Sequence, residues 1–180
     1  RDALAKIGAG HGLTRDWAGL ANELRRRSLS LTINMGEHSA PHHNHDDSHR
    51  MALDEILAEN GLESFTYEDR RSIWWDAPHS FEVWPDFPAV LPKLKEHYIC
   101  VSFTILSYRM IIDTAKKNSL GWDAVLSCEG IGKYKTLPES YQTVANLLQI
   151  EPHECCMVAC HNFDLDAAKR SGYKTAFVKR

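Results

Sequence analysis

Thr104, Lys135, His161 and Asp164 are far apart in the chain, yet each follows the same kind of stretch. Thr104 falls near the end of a continuous apolar, β-branched run at 98–106. Lys135 lies in the loop 129–138 that follows a second apolar run at 122–127, and Pro138 opens the next helix, which leaves Lys135 above the strand end. His161, Asn162 and Asp164 follow a third run at 155–160. A hydroxyl, an ammonium and a carboxylate brought to one edge can orient and neutralise an anionic nucleophile or leaving group. Singly, each has a plainer reading: Thr favours strands, a loop Lys is a solvated charge, and an Asp at a helix start is a cap. Their succession, one at each strand end, is what points to a site.

The elements that must position them follow from the patterning. The three apolar runs and a fourth at 175–178 read as strands, and helices are expected at 107–120, 138–148 and 165–171. Asp164 is the expected N-cap of the last helix and Gly172 its stop. Strand–helix alternation of this kind builds right-handed βαβ units and a doubly wound parallel sheet, whose ligands bind beyond the carboxyl ends of the strands. Upstream the chain is helical. A helix tail at 1–9 closes on Gly8 and Gly10, and a second helix starts at a Thr14 cap with Trp17, Leu20, Leu24, Ser28 and Leu31 on one face. Arg25, Arg26 and Arg27 ride on it, and three consecutive residues span about 200° of arc, so one can point inward. A third helix, 49–57, is capped by Asp47 or Ser48, and a fourth covers 67–75, with Trp17, Trp74 and Trp75 read as core packing. A short helix is expected at 90–94. The division that results is a helical part over 1–79 and an α/β part over 80–180.

With 180 residues, 43% hydrophobic and 25% charged, the composition is that of a soluble globular protein. A net charge of −3 gives no reason to expect nucleic acid or an anionic membrane as partner. No apolar run approaches the roughly 20 residues needed to span a bilayer. Five cysteines without pair spacing suit reduced, buried thiols in a cytoplasmic protein. The segment 36–49 is dense in His and Asp and could hold zinc or nickel as a sensing or storage element, but its spacing matches no defined site. Neither a metal nor a cofactor is expected for the chemistry.

Thr104, the Tyr134-Lys135-Thr136-Leu137-Pro138 loop and Asp164 after the last long strand resemble the haloacid dehalogenase superfamily, and its 2-haloacid dehalogenase branch in particular. Segment 81–86 resembles the entry to that family's core, and 122–135 and 158–164 its later motifs. The resemblance implies a helical cap on a Rossmann-like core. Phosphatases of the superfamily carry Asp-x-x-x-Asp after this strand to hold magnesium; here Cys160 takes the first position and only Asp164 remains. That implies metal-free removal of halide from a small 2-haloalkanoic acid through an aspartyl ester. By the same resemblance Lys135 holds the nucleophile ionised, Asp164 and His161 position Lys135 and the hydrolytic water, and Arg25 cradles the halide as a buried guanidinium. Asn162, Ile105 and Phe163 would bound the substrate. Two departures stand out. Ile105 and Leu106 follow Thr104 where the family has Asn-Gly, and the family's nucleophilic Asp-x-x-Gly-Thr segment is not in this sequence. The expectation is that a longer protein supplies it, and that a polypeptide starting at Arg1 is inactive. A phosphatase and a non-catalytic binding protein of the same fold are the alternatives. The family often forms homodimers through its helical parts.

Overall fold

The computed structural model describes residues 1–34 and 44–180. The apolar face of the N-terminal helices is buried as one cluster. Helices α1 (Asp2–Gly10), α2 (Trp17–Asn34) and α3 (His45–Glu59) bring Leu4, Leu24, Leu53, Ile56 and Leu57 together. Phe65 and Ile73 complete the cluster, and Trp17 and Trp74 pack against it as expected. Two caps differ from expectation. Asp16, not Thr14, caps α2, its Oδ1 accepting from Gly19 N at 2.9 Å. Helix α3 starts a turn earlier than 49, because Asn44 accepts from Asp47 N while the Asp47 carboxylate returns to Asn44 N. That reciprocal capping box makes Asp47 the partner of the cap, not the cap. The helix expected at 67–75 runs further, as α4 (Tyr67–Arg71), a π turn (Ser72–Asp76) and α5 (Ala77–His79). Of the His-rich segment, 36–43 lies outside the described residues, and His45 to His49 are helical.

The remainder alternates as the pattern predicts: α6 (Phe87–Lys95), β1 (Val101–Thr104), α7 (Tyr108–Lys117), β2 (Ala124–Ser127), α8 (Cys128–Ile131) and α9 (Pro138–Leu148). A 3-10 turn (Pro152–Glu154), β3 (Cys156–Ala159), α10 (Asn162–Arg170) and β4 (Lys174–Phe177) complete it. Every pairing is parallel. β1 lies beside β2 with Thr104 opposite Ser127, and β3 beside β4 with Ala159 opposite Phe177, so the carboxyl ends align within each pair. Among the described residues these are two separate two-stranded sheets. Tyr141, Ala145, Ala167, Ala168 and Tyr173 form the core under β3 and β4, with Phe103 and Met157 packed against it.

Continuous apolar runs predict strands buried on both faces. The structure differs for β3 and β4: Val158 and Phe177 are each 56% exposed. Both strands have an interior composition, but among the described residues each has a single paired neighbour, so one edge and much of one face stay open there. Tyr98 and Ile99 also fall before β1 and are exposed. The thiols are all free, as expected, but Cys156 and Cys160 are exposed, because they lie on the open side of β3 and at its end.

A buried polar joint ties α3 to the α/β part. Ser107 Oγ, which caps α7 by accepting from Met110 N at 3.0 Å, donates to Asp46 Oδ2 at 2.5 Å. His79 stands between two carboxylates, with Nε2 at 3.3 Å from Asp46 and Nδ1 at 2.8 Å from Asp113. Trp75 stacks on the His79 ring at 3.9 Å, and the His79 contact, helped by Arg109, holds the Asp113 carboxyl below the usual carboxylate range. Beside it, Asn44 Nδ2 donates to Glu129 Oε1 at 3.0 Å while Tyr108 N donates to Glu129 Oε2 at 2.7 Å. Among the described residues, no helix is long and apolar enough to cross a membrane.

Candidate active site

Lys135 is brought to the strand ends by a tight reversal. Helix α8 closes on Gly132, whose φ of 74° is a left-handed conformation that glycine adopts at little cost, and Pro138 then opens α9. The Lys135 side chain is buried, with Nζ at 2.9 Å from Asp164 Oδ2, at 3.9 Å from Met157 Sδ and at 4.2 Å from the centre of the Phe103 ring. Burial pulls the Lys135 ammonium below its ordinary value, and Asp164 opposes this. Pairing a buried charge at hydrogen-bond distance keeps it from being stranded.

Asp164 does not serve as the helix cap expected of it. It lies in the first turn of α10, whose N-cap position is His161 with no side-chain cap bond. Its carboxylate turns inward, with Oδ1 accepting from Tyr141 OH at 2.7 Å while Oδ2 meets Lys135. Tyr141 is fully buried; burial and the adjacent Asp164 raise its phenol pKa, so it remains a donor. Tyr173 OH in turn donates to Tyr141 O at 2.7 Å. Tyr141 is the functional candidate that pattern reading missed. Its signal was its place on the inward face of α9, one turn after Pro138, beside the buried Val144 and Ala145.

A cavity of about 650 Å³ opens between the helical part and the strand ends. Its α/β side carries Thr104, Ile105, Lys135, His161, Phe163 and Asp164, and its helical side Leu24, Arg25, Ser28, His45 and His49. Seven of the eight residues singled out from the sequence therefore line one cavity; Asn162 does not, being exposed at the start of α10. Thr104 Oγ1 accepts from Leu106 N at 3.1 Å, and the His161 ring lies at 5.4 Å from Phe163. Phe103 from β1 and Met157, Val158 and Ala159 from β3 also line it, so it runs between the two sheets.

The three arginines do not sort by one turning inward, since Arg25 and Arg26 are exposed and Arg27 is half-buried. Arg26 and Arg27 each reach Glu23 at 2.6 Å, and Arg27 also reaches Glu59 at 2.6 Å. Arg25 has no carboxylate partner among the described residues and lines the cavity. It is exposed, not buried as expected, because it stands at the rim where the guanidinium still meets water. Among the described residues no three His, Cys, Asp or Glu side chains gather as a metal site.

A family model described as haloacid dehalogenase-like hydrolase matches residues 10–172. The chain belongs to that family. Among its members, this one is 28% identical over 125 residues to (S)-2-haloacid dehalogenase 4A of Burkholderia cepacia, covering 66% of this chain and 54% of that one. It is 30% identical over 136 residues to (S)-2-haloacid dehalogenase 1 of Pseudomonas sp. (strain CBS-3), covering 72% and 57%. The chain thus spans little more than half the length of these relatives. Among solved structures it resembles the L-2-haloacid dehalogenase PA0810, with a TM-score of 0.86, 28% identity, and 99% of this chain and 77% of that one covered. The defluorinating L-2-haloacid dehalogenase Rha0230 gives a TM-score of 0.87 at 28% identity, covering 98% and 72%. The haloacid dehalogenase fold, an α/β core with an added helical layer, follows from these likenesses.

Proposed function

We propose that this family member works as a metal-independent hydrolase that removes halide from a small 2-haloalkanoic acid. The observation that carries the reading is the buried Lys135–Asp164–Tyr141 chain at the head of a cavity that separates two parallel sheets. The facing sides of β1 and β3 suit one more parallel strand, and an aspartate at its carboxyl end would meet the Lys135 ammonium. Residues 1–79 would then be the cap and 80–180 the core.

In the first step a carboxylate oxygen attacks Cα, a C–O bond forms, and the carbon–halogen bond breaks with its electron pair leaving on the halide. Water then cleaves the ester and returns the carboxylate. Lys135 favours the ionised nucleophile, and Asp164, held by Tyr141, keeps the ammonium aimed. Thr104 and His161 contribute polar groups at the substrate's carboxylate and at the water, and Ile105 and Phe163 set the size of the acyl end. Asn162 lies outside the cavity and has no substrate role in this reading. The relatives' printed names, all 2-haloacid dehalogenases, support this substrate class. Cys160, which occupies the place of a phosphatase carboxylate, speaks against a magnesium-dependent phosphatase.

The test is halide release from chloro-, bromo- and fluoroacetate and both 2-chloropropionate enantiomers by the native protein containing this chain, with and without EDTA. Equal release in both conditions is expected, and K135M, checked for folding, should lose on the order of a hundredfold to a thousandfold. Phosphate release that needs magnesium, with no halide released, would overturn the reading.

A further inference from the structure

The buried joint behind the cavity has no part in the scheme above. At its centre the His79 ring is enclosed by three elements. Asp46 of α3 meets Nε2 at 3.3 Å, Asp113 of α7 meets Nδ1 at 2.8 Å, and Trp75 of the π turn stacks on the ring at 3.9 Å. The remaining charged group on this side is Arg109 of α7, which pairs with Asp113 at 2.8 Å and lies 5.8 Å from the Trp75 ring. Asp46 is differently placed: its side chain is 6% exposed, and among the described residues His79 is the basic group paired with it. Its other oxygen accepts from Ser107 Oγ, so it acts as an acceptor at both ends. A neutral imidazole carries one N–H, so between two carboxylates it serves one and turns a lone pair toward the other. Facing Asp46 and Asp113 together, the ring needs both hydrogens.

Each member of the joint adjoins a stretch that lines the cavity. Asp46 follows His45, Ser107 follows Thr104, Ile105 and Leu106, and His79 follows Ala77 and Pro78. We propose that His79, as an imidazolium, is a positioning residue: acting through Asp46 and Ser107, its charge holds α3 and α5 against the end of β1 and sets the span of the cavity between the helical side and the strand ends. What it positions rests on the dehalogenase reading; the charged joint itself does not. Loss of the proton leaves the shorter contact, Nδ1–H to Asp113, and faces a lone pair toward Asp46, whose buried charge then lacks its counter-charge. The helical side is released, while Lys135, Asp164 and Tyr141 keep their bonds on the other side. A substrate that bridges both sides is then held less well with its reacting end unchanged, which raises KM more than it lowers kcat.

The experiment uses the native protein containing this chain, as wild type, H79Q and W75F. Ring-nitrogen NMR of wild type should show two protonated nitrogens on His79 at neutral pH, a measurement that stands even if H79Q does not fold. A charged imidazole stacked on an indole quenches its emission, so Trp75 fluorescence, taken as wild type minus W75F, should rise as alkali removes the His79 proton. Along the same titration KM for 2-chloropropionate should rise about fivefold, with kcat in wild type and H79Q agreeing within about twofold at each pH. H79Q carries the same Lys135, so the response of that group is common to both; H79Q should have the raised KM at every pH. A His79 ring with a single N–H at neutral pH would overturn the proposal. So would a KM in H79Q equal to that of wild type, or a loss carried by kcat alone. Ring signals and emission as expected, in a protein that releases no halide, would uphold the charged joint and defeat the dehalogenase reading instead.

Discussion

At the residue scale, the chain uses burial in opposite senses on two bases. Lys135 is buried beside a carboxylate and stays paired, whereas His49 is half-buried beside another imidazole and is held neutral. The second choice has a price in acid. The folded His49 has a pKa of about 4 against an unfolded value near 6.5, so between these pH values the unfolded chain binds the extra proton. By linkage, stability rises with pH through that window and falls as pH drops from about 6.5 to about 4, by up to about 3 kcal/mol. Urea unfolding of wild type should show this slope and H49F should flatten most of it; an unchanged slope would mean that the ring is not held neutral.

At the element scale, α3 is fixed at its first turn. Asp46 receives Ser107 and His79, and Asn44 reaches Glu129, so the helix bearing His45 and His49 is anchored to the α/β part at the end nearest the cavity. D46A leaves the buried Ser107 hydroxyl without its acceptor and takes one of two carboxylates from His79, and should destabilise the chain by about 1–3 kcal/mol in urea unfolding. N44A removes a cap and a half-buried bridge to Glu129 and should cost about 1–2 kcal/mol. The strand–helix order was legible in sequence because apolar runs and Pro138 mark it without tertiary help. Arg25 was singled out by the family resemblance, whereas the residues alone left it one of three; of the other two arginines' partners, Glu23 lies on α2 itself and Glu59 is brought by α3. The family resemblance set Asp164 beside Lys135, but the pattern alone misread the direction of its carboxylate. As a helix-start aspartate it satisfied the capping rule, and only the approach of Lys135 and Tyr141 from two other elements redirects its carboxylate. Tyr141 was missed for the same reason, and the start of α3 was missed because Asn44 and Asp47 cap reciprocally.

At the scale of the whole molecule, among the described residues the helical cluster is closed while the sheets are not. β1–β2 and β3–β4 are there each two strands wide, and two-stranded sheets are marginal on their own. Backbone amides of β1 and β3 should therefore exchange hydrogen for deuterium well before those of the buried turns of α3, by a factor of at least about a hundred. A synthetic extended peptide with an aspartate at its carboxyl end, offered to the chain, should slow exchange in β1 and β3 together and leave β4 unchanged. Equal protection of all four strands without the peptide would mean that the sheets need no neighbour.

If the proposed reading holds, the cleft between the sheets also makes the active site divisible. Lys135, Asp164 and Tyr141 are joined by hydrogen bonds within the span 135–164, and in the proposed reading the carboxylate that they tune comes from another strand of the native protein. On that reading, the native protein cut ahead of these residues would give two inactive pieces, and attaching each to one of two binding proteins would make halide in solution count their encounters.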